Sequence, residues 1–227
     1  MTELLVAIVI IAGLAAIILS VVTRMRKSAN QSITTANLRQ IGVALVTFVS
    51  DKGRFPSKNG DPAWDRAIMS NLGYTDDLTG TGNLKRSEYP GLEASAKVFF
   101  TPEDRADRDK SVYPRSFAII PWTTNWSNGT GFRGWKDRPY NVGVPYAALD
   151  APEKSAAVVQ WFSGTESIPN YLGAGNHAYH DRGGPENQIG TYQQVLFADG
   201  HIEKMRGNLT SAEFVEKYWP GSIGSVK

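Results

Sequence analysis

The chain has 227 residues, with 24 Lys and Arg against 22 Asp and Glu, a formal net charge of +2. That length suits one or two domains, and so even a balance excludes a broad nucleic-acid face or polybasic membrane patch unless cations cluster locally. Hydrophobic residues at 41% and aromatics at 11% exclude a disordered chain. The lack of Cys excludes a disulfide framework, a thiol nucleophile, Cys-ligated zinc and an iron–sulfur cluster.

The first element is the most uneven in composition. Residues 4–22 are 19 positions with no charge and one polar side chain, Ser20. Leu4, Leu5, Ile8, Ile11, Leu14, Ile17 and Ile18 carry most of the apolar bulk. A run of about 17–25 apolar residues can cross a bilayer as a helix. A secretory signal peptide would begin with basic residues and have a shorter apolar stretch, whereas here Glu3 precedes the run. Arg24, Arg26 and Lys27 follow it, so a plain signal anchor would leave the C-terminal part in the cytoplasm. Glu3 invites a third reading. A carboxylate at the edge of hydrocarbon is costly unless paired, and the α-amino group of a neighbouring copy is a natural partner. The simpler alternative is that Glu3 sits among headgroups or caps the helix.

The helix is predicted to continue beyond the apolar run. No Pro occurs before Pro56, and Gly42 is the one Gly between residues 28 and 52. Leu38, Ile41, Leu45 and Phe48 recur at helical spacing, while Arg39, Gln40, Thr47 and Ser50 fall largely away from that stripe. The expectation is one helix over residues 2–52, about 75 Å long at ~1.5 Å per residue. Gly53 is its left-handed cap and Pro56 its stop. Three segments follow: 1–24 for a membrane or filament core, 25–53 for the amphipathic continuation, and 54–227 for a globular head.

Residues 2–17, Thr-Glu-Leu-Leu-Val-Ala-Ile-Val-Ile-Ile-Ala-Gly-Leu-Ala-Ala-Ile, resemble the start of mature type IV pilins and type II secretion pseudopilins. Glu3 matches the glutamate at that family's fifth mature position. Gly53-Arg54-Phe55-Pro56 is similar to the Gly-x-Tyr-Pro that follows the helix in major pseudopilins. The family carries a basic leader that a prepilin peptidase removes before methylating the new terminus. An upstream start through a Leu codon would place Met1 at the third mature position. The resemblance assigns Met1, Thr2 and Glu3 to assembly. It implies an inner-membrane precursor with a periplasmic head, an inner-membrane assembly platform as partner, and copies of the chain in a helical filament.

A second resemblance lies further on. Val-Leu-Phe-Ala-Asp-Gly-His-Ile at 195–202 resembles the Asp-Gly hairpin of prepilin-like proteins with a His-x9-Asp-Gly pattern, here Asp199 and Gly200. Phe-Phe-Thr-Pro-Glu-Asp at 99–104 and Arg-Ser-Phe-Ala at 115–118 are similar to their Cys-Pro-x-Asp and Arg-Ser-Tyr segments, with Thr101 in place of the Cys. Eighteen residues separate His180 from Asp199 instead of nine, as an insertion around 185–193 would produce.

In the head, Asp61-Pro62 and Gly73 bracket a short helix over 62–72, with Trp64, Ile68 and Leu72 on one face. Residues 74–93 form a loop, as do 123–141. Strands are predicted at 97–100, 116–122, 156–162, 193–198 and 201–205. Asp199-Gly200 signals a two-residue type I′ hairpin. Thr210 and Glu213 make a capping box for a C-terminal helix to about Tyr218. The expected fold class is α+β and type IV pilin-like: a long N-terminal helix packed by its second half on an antiparallel sheet of about four strands, with large loops.

Chemistry-bearing clusters are sparse. His177-x-x-His180, with Asp199, offers metal-ligand residue types, but the glycines around it suit a polar loop. Asp104, Asp107 and Asp109 offer oxygen ligands for calcium, but Arg105, Arg108 and Lys110 interleave as in a solvated loop. Asn30, Asn125, Asn128 and Asn208 open N-glycosylation sequons. No hydrolase elbow or phosphate-binding loop is present. The expected role is therefore a non-enzymatic filament subunit of a pilus or secretion pseudopilus, held in the lipid bilayer before assembly. The alternative is a membrane-anchored periplasmic enzyme or binding domain with a metal site in the 177–201 region.

Overall fold

The computed structural model describes residues 2–56, 62–74, 78–80, 84–104, 110–119, 143, 145–149, 151–160 and 192–206. One helix, α1 (Thr2–Lys52), runs for 51 residues without a break. Gly53 ends it as expected: its φ is +67° and its N–H donates to the Val49 carbonyl at 2.7 Å. The chain then turns into Phe55, which is buried and lies 6.0 Å from the Tyr146 ring.

The two halves of α1 have opposite surroundings. Leu38, Ile41, Ala44 and Leu45 are buried in the head, and Phe48 packs half-buried beside them. Arg39, Gln40, Thr47 and Ser50 face outward. This is the amphipathic pattern that the sequence spacing predicts. Residues 2–29 are exposed throughout.

The sheet has four strands, all antiparallel, in the order β1 (Phe117–Ile119), β2 (Ala156–Gln160), β3 (Tyr192–Phe197), β4 (Ile202–Arg206). Every residue of β2 is buried, as befits a central strand. β4 exposes Glu203 and Lys204, charges that suit an edge. The helix lies across β3 and β4. It approaches closely at Gly42, where an added Cβ would sit 2.9 Å from Leu196 Cδ1 and 3.8 Å from the Gly200 carbonyl oxygen.

Several elements differ from expectation for local reasons. Residues 97–100 are not a strand. Helix α3 (Glu93–Ala96) continues as a 3₁₀ turn, Lys97–Phe99. Leu92, Ala96 and Phe99, at spacings of four and three, all point into the core, so the helical period prevails over the short apolar run. Glu93 accordingly belongs to α3 and not to the preceding loop. The 62–72 helix is two pieces, α2 (Trp64–Ala67) and a 3₁₀ turn, Ser70–Leu72, closed by Gly73 at φ +87°. Trp64 still reaches the core and meets Phe99 edge-on at 5.5 Å.

The β3–β4 turn is also not type I′. That turn needs positive φ at both central residues, and among the described residues only glycines have it, here Gly200 at +93°. Gly200 N–H donates to the Phe197 carbonyl at 3.0 Å, and Phe197 N–H to the His201 carbonyl at 2.9 Å. The connection is thus Ala198, Asp199 and a left-handed Gly200, the longer loop type with a glycine bulge. The 123–141 loop, the residues after 119 and 160 in the two expected strands, Asp61, and the C-terminal helix lie outside the described residues.

Gly42 tests how tightly helix and sheet fit. Gly42→Ala gains about 1 kcal/mol of helix propensity, which offsets a small shift of the flexible Leu196 end. Its stability should stay within about 1 kcal/mol of the parent. Gly42→Leu overfills the contact and should lose about 1–3 kcal/mol. Denaturant unfolding of the full chain in detergent checks both, and a Gly42→Leu protein as stable as the parent would refute the close fit.

Candidate assembly surface and the seam that supports it

The first half of α1 is the most unusual surface of the protein. Its large apolar side chains from Leu4 to Val22 are between 38% and 69% exposed. Among the described residues, no part of the head covers residues 2–29. Such a helix needs lipid or other apolar helices around it. Glu3 and Thr2 occupy its exposed first turn, and Met1 lies outside the described residues. Leu4, Leu5, Ile8, Ile11, Leu14, Ile17 and Ile18 are all exposed and spread around the whole circumference.

The helix enters the head through a polar seam that the sequence reading missed. Gln194 of β3 accepts from Thr35 Oγ1 at 2.8 Å through its Oε1 and donates from Nε2 to the Gln31 carbonyl at 3.0 Å. Gln160 Oε1 in turn accepts from the Gln194 backbone N–H at 3.1 Å. Gln160 Nε2 donates to Glu103 Oε2 at 2.8 Å, and Thr34 Oγ1 donates to the same oxygen at 2.9 Å. Thr101 Oγ1 lies 2.5 Å from Thr34 Oγ1 and completes the chain. Asn37 Nδ2 donates to the Phe100 carbonyl at 2.7 Å. A buried polar network of this kind fixes one geometry, because each unmade bond would leave a group desolvated. Hydrophobic contacts alone would let the helix slide. Weak signals were present in the sequence: Thr34, Thr35 and Gln31 interrupt the apolar period, and Gln160 and Gln194 stand within β-prone runs.

The acidic cluster divides. Glu103 serves the seam, and Asp104 is buried, with its Oδ2 accepting from Ser116 Oγ at 2.6 Å. Asp107 and Asp109 lie outside the described residues. Asp199 accepts from His201 through both the backbone N–H, at 3.1 Å, and Nδ1, at 2.6 Å. The His201 ring stacks on Phe197 at 4.3 Å. His177 and His180 lie outside the described residues. Among the described residues, no three His, Asp or Glu side chains converge as a metal site would require. Pro56 ends the described segment after α1.

Two further features belong to the head. Asp65 and Arg115 form a fully buried ion pair through Asp65 Oδ2 and Arg115 Nη1. The other carboxylate oxygen, Oδ1, is buried without a hydrogen-bond partner among the described residues. Beside α3, Arg86, Lys97, Phe100, Tyr113 and Pro114 line an apolar cleft of about 180 Å³, below the usual range of about 300–1,000 Å³ for ligand pockets. Arg86 lies over the Tyr113 ring at 4.6 Å. Burial pushes the Tyr113 phenol above its ordinary 10.0, and its hydrogen bond to Glu93 acts in the same direction.

No protein family, curated protein or solved structure matches the chain.

Two outcomes follow from the buried groups. Arg115→Leu strands the Asp65 carboxylate and should cost about 3–5 kcal/mol, whereas Asp65→Leu/Arg115→Leu together should recover most of that loss. Urea unfolding of the four proteins checks this double-mutant cycle. For Tyr113, the raised folded-state value favours the neutral phenol. Its contribution is complete below the unfolded value near 10 and is lost as pH rises from there through the folded value. The alkaline fall in stability should therefore be shallower in Tyr113→Phe than in the parent.

Proposed function

We propose that the chain is a structural, non-enzymatic subunit of a type IV pilus-like or pseudopilus filament. Before assembly it is held in the inner membrane by residues 4–22, with the head on the periplasmic side. The observation that carries this reading is a single helix with two kinds of surface. One half is gripped by the head through the seam and the Leu38–Ile41–Leu45 stripe, and the other half is apolar all round and bare. A plain membrane anchor needs the second property but not a rigid junction between the two. A subunit that stacks heads around a core of helices needs both, because the head fixes where the next copy sits. Glu3 supplies the remaining support. Lipid and helix neighbours are similarly apolar, so extraction into a polymer gains little from the hydrophobic effect. A carboxylate that meets a neighbour's α-amino group in a dry core gains a charge pair where the dielectric is low.

The platform that moves the chain, and the peptidase that processes its precursor, are the partners this function requires. The Asp199–Gly200 turn, seated on Gly42 and Val46 of the helix, and the Gly53–Pro56 exit both fit this class of subunit.

Glu3 provides the test. Glu3→Ala should remain carbonate-resistant in membranes yet reduce sheared filaments by at least about tenfold, the effect of losing about 1.4 kcal/mol per subunit contact. Electron microscopy and quantitative immunoblotting of the sheared fraction measure this. Normal filament numbers from Glu3→Ala would remove the charge pair from the assembly mechanism.

A further inference from the structure

Between Glu3 and Asp51 the helix contains no carboxylate, yet it contains Arg24, Arg26, Lys27 and Arg39. The first three directly follow the apolar segment. All three are exposed, and none forms an ion pair among the described residues. At about 100° per residue, Arg26 projects about 200° round the axis from Arg24, and Lys27 about 100° further. The three cations therefore lie within one arc of about 160° and form a basic patch on one side of the helix. Among the described residues the head does not share in it: residues 2–29 are exposed, and the first hydrogen bond from the head to the helix reaches Gln31.

The patch has a definite height. Nineteen residues span about 28 Å, close to the ~30 Å hydrocarbon thickness. Residues 24–27 then lie about 3–8 Å beyond the apolar edge, within a headgroup layer about 5–8 Å deep. Gln31 lies about 13 Å beyond that edge, so the head begins just outside the headgroups.

We infer that Arg24, Arg26 and Lys27 form a binding site for the phosphates of anionic phospholipids beneath the head. The inference rests on the membrane-inserted state proposed above and is independent of filament formation. The height of the patch selects lipid as the occupant. In the inserted state all three cations lie at headgroup depth, below the first contact of the head, where lipid phosphates are the complementary charges within reach. Arginine supplies a planar fork suited to phosphate oxygens, and lysine a mobile point charge. The net charge of +2 hides this cluster, because the acids that balance it all lie in the head apart from Glu3 and Asp51.

The test uses the full chain reconstituted in phosphatidylcholine vesicles with trace spin-labelled phosphatidylglycerol or spin-labelled phosphatidylcholine. Electron spin resonance measures the fraction of each lipid that is motionally restricted by the protein. Phosphatidylglycerol should associate at least about fivefold more strongly, the attraction expected of a single cation at an anionic surface. The preference should fade near 1 M salt, where screening acts over about 3 Å. It should fall to near unity in Arg24→Gln/Arg26→Gln/Lys27→Gln and persist in Arg39→Gln. Inorganic phosphate should compete no better than chloride at equal ionic strength. Equal association of the two lipids, or a preference that survives the triple substitution, would overturn the lipid site. Selective displacement by inorganic phosphate would replace it with a small-anion site. Extraction of the protein from the same vesicles by carbonate would instead overturn the membrane reading on which the site rests.

Discussion

Everything in this protein depends on what covers an apolar surface that its own fold leaves bare. The side chains from Leu4 to Val22 are exposed on every side, and at roughly 25 cal/mol per Å² of apolar area they could not remain in water. Among the described residues the head does not relieve this, because helix and head part at about residue 30. In the proposed function the cover comes from lipid first and then from other copies, and the head controls the geometry of that exchange.

Control needs a stiff junction, and the seam supplies it. The apolar stripe on α1 would hold the helix against the sheet but would tolerate a shift along the groove. Gln31, Thr34, Thr35 and Asn37 remove that freedom, because each is matched to specific acceptors or donors in the head. Gly42 acts in the same sense through shape: any larger residue must displace Leu196. The buried Asp65–Arg115 pair ties α2 to the segment before β1, at a desolvation cost that an apolar pair would avoid. Rigidity thus comes from polar groups placed where slippage would strand them.

The long helix, its cap at Gly53 and its buried stripe were legible in the sequence because each is a local, periodic signal. Leu38, Ile41 and Leu45 needed no partner to be recognised as a face. The antiparallel sheet was legible through the strands at 156–160 and 192–206. The failures share a cause. At 97–100 the decisive fact is that Leu92, Ala96 and Phe99 meet one core, which depends on tertiary contacts and not on the Val-Phe-Phe run. At Asp199-Gly200 the dipeptide was right but the loop is longer, because the Phe197–His201 pairing sets it. The seam was invisible for the same reason: Gln31 and Gln194 are 163 positions apart, and no local pattern connects them. Glu3 was legible as an anomaly, whereas its proposed partner belongs to another molecule.

The same reasoning locates the mechanically weak stretch of α1. Nothing within 4 Å would resist a side chain at Gly13, and a glycine there costs the helix about 1 kcal/mol. Ser20 and Thr23 donate to the Ile17 and Leu19 carbonyls at 2.8 and 2.9 Å, local bonds that offer those carbonyls a partner outside the helical ladder. No proline lowers the cost further. Beyond Gln31 each turn is tied to the head, so unwinding there would break the seam as well as the helix. Between Gly13 and Thr23 unwinding would break backbone bonds alone. Each such group left unmatched in lipid or a dry core costs several kcal/mol. The isolated chain therefore keeps one continuous helix, and its compliance is confined to the segment that changes neighbours in the proposed filament.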